Sequence, residues 1–322
     1  MYRRPFRRAR HGEALPSNPP HEHVIRADLG VPSTVSDDSS DSTRGVDPRA
    51  LDGLQRRTLF GLELVDAPDL NLVADALLEH GNRCQGTDLD PNVVPAVVTP
   101  NVDILVDLDS APDSPAASFF RRAHYVLPDG MPIVATSRWL GMPLRSRLTG
   151  SGLFEILWPR LVAENRRVVV LCANKEIADL LGDENPRARF VVPPMVEAGN
   201  DEQMAHVASD LFDAATLMSA EYVLLGLGHP KDALLMDRLN GLWRESGSHE
   251  AVTLGLGASF AMYVGQKRRA PVWMQRIGME WFFRFLQEPR RLFRRYFIAD
   301  VAFLGLVRRE RRRLAPPRGD AQ

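Results

Sequence analysis

Cysteine is nearly absent from this chain: Cys84 and Cys172 are the only two in 322 residues. That excludes a disulfide framework and a thiolate-built zinc site, and it fits a reducing compartment. Lysine is almost as scarce, with only Lys175, Lys231 and Lys267. Nearly all the positive charge is arginine, much of it at the two ends, and the net charge of -1 gives the whole protein no affinity for a polyanion. No apolar run reaches the roughly eighteen residues a transmembrane helix needs. The basic N-terminus lacks the apolar stretch of a signal peptide. The eight histidines include neither HExxH nor a paired zinc spacing, and GxxxxGK[ST] and GxSxG are also missing. Zincin, Walker-type and serine-elbow chemistries are thereby excluded. No GxGxxG follows the early strands, which argues against a nicotinamide-dependent enzyme.

What is present is a composition that can bury a full core, with 44% hydrophobic residues. Residues 1–57 read as a disordered extension: Arg3–Arg10 is basic, Pro16–Pro20 is turn-rich, and Asp37–Arg44 has nothing to bury. Folded pattern begins near Leu59. A helix follows Asn71 and ends at Gly81-Asn82, Val93–Val98 is a strand, and Val102–Leu108 opens a helix. Tyr125–Leu127 is a strand with a helix after it to Leu140. A loop over Leu148–Gly152 leads to a helix over 153–164. Val168–Leu171 is a continuous apolar run, so it reads as a strand covered on both faces. Helix Lys175–Leu181, strand Phe190–Val192, helix Asp201–Met218, strand Tyr222–Leu225, a helix to Leu239 and strand Val252–Leu254 complete the alternation. The expected fold is α/β: a Rossmann-like, mostly parallel sheet flanked by helices over 58–266, with a helical appendage over 267–322.

Parallel strands bring their C-terminal ends to one edge, where ligands bind. There the sequence places Thr99, Asn101, Asp129, Thr149, the loop Gly226–Lys231 and the loop Gly255–Ser259. Asp129 lies between Pro128 and Gly130, where a strand hands over to a helix. It either caps that helix or faces a ligand. Gly226 and Gly228 let backbone approach a ligand, with Lys231 as a cation beside a diphosphate, or they make only a tight turn. His229 reads as an exposed loop histidine, or else as a ligand contact, and Trp139 and Trp158 as core or packing residues.

The appendage is Arg-rich and amphipathic. After a break at Pro289, Phe293, Phe297, Val301, Leu304 and Val307 trace one stripe, and Arg290, Arg291, Arg294 and Arg295 crowd its first half. The segment is too short to span a bilayer. It reads as a helix docked on the core or as an interfacial helix on an anionic membrane; nucleic acid is disfavoured, because the aromatics follow core-like spacing.

Thr99-Pro100-Asn101, Pro128-Asp129-Gly130, Thr149-Gly150-Ser151 and Gly226-Leu227-Gly228-x-Pro230-Lys231 occur in order. After them comes the run Arg269-Ala270-Pro271, Trp273-Met274-Gln275-Arg276, Gly278-Met279-Glu280-Trp281 and Gln287-Glu288-Pro289-Arg290-Arg291. In these motifs the chain resembles the WecG/TagA/CpsF glycosyltransferases, glycosyltransferase family 26, from about Val94 to Arg309. The resemblance implies transfer of an N-acetylmannosamine-type sugar from a UDP donor to a polyprenyl-diphosphate-linked acceptor. It implies inversion at the anomeric carbon, no cofactor or essential metal, and a peripheral place at the inner face of the cell membrane. Asp129 matches the family's proposed base. Thr99, Asn101, Thr149, Gly150, Gly226, Gly228, Lys231 and Asp232 match substrate-pocket positions, and Arg276, Arg284 and Arg291 are matched to diphosphate or acceptor contacts. Departures from the family pattern fall at Gly152, Asp232 and Ala261. A catalytically silent relative that binds sugar nucleotide or lipid is the rival expectation, and homo-oligomerisation is left open.

Overall fold

The computed structural model describes residues 52–83, 93–247, 251–267 and 289–315, without the side chains of 82, 83 and 289–300. Residues 1–51 of the expected extension, Cys84, Arg276 and Arg284 lie outside the described residues, and Arg291 is described only as backbone within a helix.

In chain order the elements are β1 (Gln55–Leu59), β2 (Leu62–Asp66), α1 (Leu70–Arg83), β3 (Val94–Val98), α2 (Val102–Ser110), α3 (Pro115–Arg122), β4 (Ala123–Val126), α4 (Met131–Trp139) and α5 (Gly150–Ala163). Then come β5 (Val168–Leu171), α6 (Lys175–Glu184), β6 (Arg189–Val191), α7 (Asp201–Met218), β7 (Tyr222–Leu225), α8 (Lys231–Ser246), β8 (Val252–Gly255), α9 (Ser259–Tyr263) and α10 (Pro289–Leu314). The described strands form one eight-stranded sheet in the order β1-β2-β4-β3-β8-β7-β5-β6. Only β1 and β2 pair antiparallel. The fold is therefore the expected mostly parallel α/β sheet.

The apolar strands have a physical reason. Val168, Val169, Val170 and Leu171 are all fully buried. Val169 and Leu171 join the hydrophobic layer on one face, Val168 and Val170 the layer on the other. A strand sandwiched this way has no solvent face, so no polar alternation survives. Each such side chain contributes about 1.5–3 kcal/mol on burial.

Several boundaries differ from the pattern. The fold starts before residue 58: Asp52 and Arg56 form a salt bridge, and β1 pairs with β2 from Gln55. Gly81 does not end α1, because the helix runs through it to Arg83. A Cβ there would lie 2.1 Å from the Tyr222 hydroxyl, which donates to the Leu77 carbonyl at 3.1 Å, so Gly81 makes room for a buried tyrosine. Leu148–Gly152 is not all loop: Thr149 caps α5, and Gly150–Gly152 form its first turn. α8 continues past Leu239 to Ser246, where Gly247 stops it at φ +62°.

α10 docks on α2 and on the β1–β2 turn, by a face that shares Val307 with the expected stripe but leaves out Val301 and Leu304. Among its described side chains the buried ones are Phe303, Leu306, Val307 and Glu310, while Val301 is 70% and Leu304 62% exposed. Phe303 packs on Phe60 with ring centroids 5.8 Å apart. The Glu310 carboxylate accepts the Phe60 N–H at 3.1 Å, and Arg309 pairs with Asp109. Trp139 is 57% exposed rather than core, and the Arg311 guanidinium stacks over its ring at 4.5 Å. Trp158 is buried as expected and donates its indole N–H to Glu184 at 2.9 Å.

Candidate active site

A cavity of ≈ 980 Å³ opens over the C-terminal ends of β3, β8, β7 and β5. Its lining includes Thr99, Asn101, Asp129, Gly150, Gly226, Gly228 and Asp232. Thr149 and Lys231 are not among the lining residues.

Three helix N-termini around this edge, those of α2, α5 and α6, are capped by side chains of their own N-cap residues. Asn101 Oδ1 accepts the Ile104 N–H at 3.0 Å and so caps α2, while the residue still faces the cavity. Thr149, only 6% exposed, accepts the Gly152 N–H at 3.0 Å and caps α5. Asn174 Oδ1 accepts the Ile177 N–H at 2.9 Å and caps α6. Each such cap is worth about 1 kcal/mol. Thr149 therefore holds the wall in place, its hydroxyl oxygen accepting a backbone N–H of α5.

Asp129 is different. The N-cap position of α4 is Gly130, so Asp129 lies one residue ahead of the cap position. Its backbone N–H donates to the Pro100 carbonyl at 3.0 Å, and the Leu127 N–H donates to the Val98 carbonyl at 2.8 Å. Those bonds carry the β3–β4 pairing beyond the strands and fix the Asp129 backbone on the cavity rim beside Asn101.

Across from it, Gly150 brings three elements together. A Cβ at Gly150 would stand 3.3 Å from both Thr99 Oγ1 and Cγ2 and 3.5 Å from Ser259 Oγ. Gly152 is equally crowded, since a Cβ would meet Leu70 Cδ1 at 2.7 Å and Thr149 Oγ1 at 2.8 Å. A side chain at 152 would require Leu70 to move. Gly226 packs on the Phe260 ring, which a Cβ would approach to 2.4 Å.

Lys231, expected beside a diphosphate, points its ammonium elsewhere: Nζ donates to the Val196 carbonyl at 3.4 Å. The lysine that lines the cavity is Lys267, near Gln266 and Asn174. His229 is not a bystander either. It is 15% exposed, lines the cavity, stands edge-on to Phe120 at 5.7 Å, and has Nε2 3.9 Å from Asp107 Oδ2. Asp103 and Asp107, one helical turn apart on α2, join the wall. Their i, i+4 spacing was the only sign of a shared face, and nothing in it indicated which face.

Asp232 is 4% exposed, and burial pushes its carboxyl up to about 6, against the opposing pull of the Gly228, Leu227 and Gly257 N–H donors and of Lys231. Cys172, at the end of β5, has its thiol raised to about 12 by burial, which removes it as a nucleophile. Among the described residues no three His, Cys, Asp or Glu side chains converge so as to hold a metal ion. The arrangement is a polar cavity with a rim carboxylate opposite small, close-packed backbone. Such a site can bind a large polar ligand and remove a proton from it.

Residues 59–316 match the model of the glycosyl transferase WecG/TagA/CpsF family. An N-acetylglucosaminyldiphosphoundecaprenol N-acetyl-beta-D-mannosaminyltransferase of Bacillus spizizenii is 28% identical over 222 residues, 69% of this chain and 82% of the relative. A protein of the same name from Bacillus subtilis is 25% identical over 200 residues, 61% of this chain and 73% of the relative.

Proposed function

We propose, from the premise that this chain belongs to the WecG/TagA/CpsF glycosyltransferase family, that it moves an N-acetylmannosamine-type sugar from a UDP donor to a polyprenyl-diphosphate-linked acceptor. The product would feed cell-surface polysaccharide synthesis. The observation that carries this reading is the position of Asp129, an aspartate that lines the cavity beside Thr99 and Asn101 at the C-terminal edge of the sheet. The relatives' names supply the sugar and the acceptor class.

In this mechanism Asp129 takes the proton of the acceptor hydroxyl as that oxygen attacks the anomeric carbon. The attack comes from the face opposite UDP, so the new C–O bond is inverted, and UDP departs with the electron pair of the bond that breaks. A positioned base contributes about 10²–10⁴-fold to such a step. Thr99, Asn101 and Gly150 would hold the sugar or the base, with Gly226 and Gly228 in the cavity floor. The described lining carries acids at Asp103, Asp107, Asp129 and Asp232 but a single lysine, Lys267, and no arginine. That imbalance favours a cationic contribution from Arg276, Arg284 and Arg291 of the appendage to the leaving diphosphate. Lys231 would then act by holding the Val196 loop.

No described helix is long and apolar enough to cross a membrane. The exposed Val301 and Leu304 beside the arginine-rich first half of α10 support a peripheral place on an anionic membrane face. The test is incubation with a panel of UDP-sugars and a short-chain lipid diphosphate acceptor. The reading expects one sugar joined to the acceptor with one UDP released. Binding of UDP-sugar without turnover would instead mark a silent, ligand-binding relative.

A further inference from the structure

The N-terminus of α8 follows a glycine loop in the cavity wall, and its surroundings are unusual. The Asp232 carboxylate reaches back from the helix's first turn and accepts the Leu227 N–H on Oδ1 at 2.9 Å. Its other oxygen, Oδ2, accepts the Gly257 N–H at 3.1 Å, from the loop after β8, an N–H shared with the Leu225 carbonyl at 3.2 Å. The Gly228 N–H also donates to it, and the Asp232 N–H donates to the Gly228 carbonyl at 3.0 Å. One side chain thus ties two loops that are far apart in sequence.

The loops touch where it ties them. Gly228 has φ +91° and Gly257 φ +53°, and a Cβ on Gly257 would lie 3.4 Å from Gly228 Cα. Left-handed backbone in such close contact is open to glycine and needs something to hold it, because glycine loops lose much conformational freedom on folding. An internal carboxylate also occupies the place a phosphate would take at a helix N-terminus. The amides of Leu227 and Gly257 are turned inward to Asp232 and away from the ligand space.

We infer that Asp232 is a positioning residue: its carboxylate clamps the β7–α8 loop to the β8–α9 loop and thereby shapes the cavity floor, without itself binding substrate. The consequence for ligands rests on the reading that this cavity holds the nucleotide donor. The clamp itself does not.

Two measurements separate those layers. Hydrogen exchange on the full chain compares wild type with Asp232→Asn, whose amide keeps the shape but presents N–H where one oxygen accepted. The clamp expects the amides of Leu227 and Gly257 to exchange at least about tenfold faster together, with β5 unchanged. Acceleration confined to the loop that neighbours Asp232 in sequence would overturn it. If Asp232→Asn does not fold, the wild type decides, because both amides must be protected well above exposed-loop rates and fast exchange at either would overturn the clamp.

UDP calorimetry and steady-state kinetics form the second arm. The inference expects about a tenfold loss of UDP affinity and a matching rise in donor KM, with kcat changed by less than about threefold. Unchanged UDP affinity with weakened UDP-sugar binding would make Asp232 a sugar contact and overturn the positioning role. Absence of UDP binding by the wild type would defeat the donor reading while leaving the exchange result to stand alone.

Discussion

Two carboxylates are buried at different ends of the parallel strands, and their environments move them in opposite directions. Asp52 lies by the start of β4, where His124 Nε2 stands 2.8 Å from its Oδ2 and Arg56 forms a salt bridge with it. Burial alone would raise its carboxyl, but the bonds from His124, Arg56 and the Leu54 N–H outweigh it and bring it to about 2. Asp232, under the cavity, has backbone amides around it and only the neighbouring Lys231 as a charge, and it sits at about 6. The difference shows what each end is for. A carboxylate matched with full charges secures the fold. One held mainly by amide dipoles carries an unrelieved cost of burial, and such groups persist where geometry at a site demands them.

The comparison can be broken at its stable end first. Asp52→Asn leaves Arg56 and His124 without their carboxylate and should destabilise the protein by about 3 kcal/mol, measured by urea denaturation. Transfer per folded molecule should stay within about threefold of wild type. A mutant as stable as wild type would remove the salt bridge from the account.

The pH dependence sharpens the contrast. Asp52 is lowered from 3.8 to about 2, so its stabilisation is present above 3.8 and is lost as pH falls toward 2. Asp232 is raised from 3.8 to about 6, so its contribution is most favourable at low pH and is lost as pH rises from 3.8 through 6. Denaturation against pH should therefore lose its steep acid limb in Asp52→Asn. Asp232→Asn should instead lose the decline that accompanies the rise from 3.8 to about 6. Parallel profiles for the two mutants would contradict the assignment.

A smaller effect separates the two lysines at the cavity end. Lys267→Ala should weaken UDP binding several-fold and leave uridine binding nearly unchanged, since an exposed cation near a diphosphate contributes about 1 kcal/mol. Lys231→Ala should do less, because its ammonium is directed to the Val196 carbonyl. Calorimetry that reverses this order would restore Lys231 as the phosphate contact.

Much of this arrangement was legible before any coordinates. The apolar runs of β5 and β7 can only be doubly covered strands. Parallel strands then force Thr99, Asn101, Asp129 and the two glycine loops to one edge. The β1–β2 hairpin was hidden because Arg56 and Arg57 disguise a strand and its turn places Phe60 at φ +57° before Gly61 at +72°. Asn or Asp is the usual signal for such a turn. The docked face of α10 is not decided by the sequence, because adjacent stripes on that helix are both apolar and share Val307. The choice between them is made by tertiary partners, Phe60 against Phe303 and the Phe60 N–H on Glu310. Side-chain direction was the other blind spot. Nothing local announces that Lys231 turns outward, that Thr149 is consumed as a cap, or that His229 turns in toward Phe120.

The central claim is that the cavity edge performs the chemistry through Asp129. The direct measurement is the transfer rate of Asp129→Asn with UDP-sugar and lipid diphosphate acceptor, alongside its UDP affinity and its melting temperature. The account predicts a loss of at least about a hundredfold in transfer, with UDP binding and melting close to wild type. Near-normal transfer, or a loss that merely follows a fall in folded protein, would contradict it.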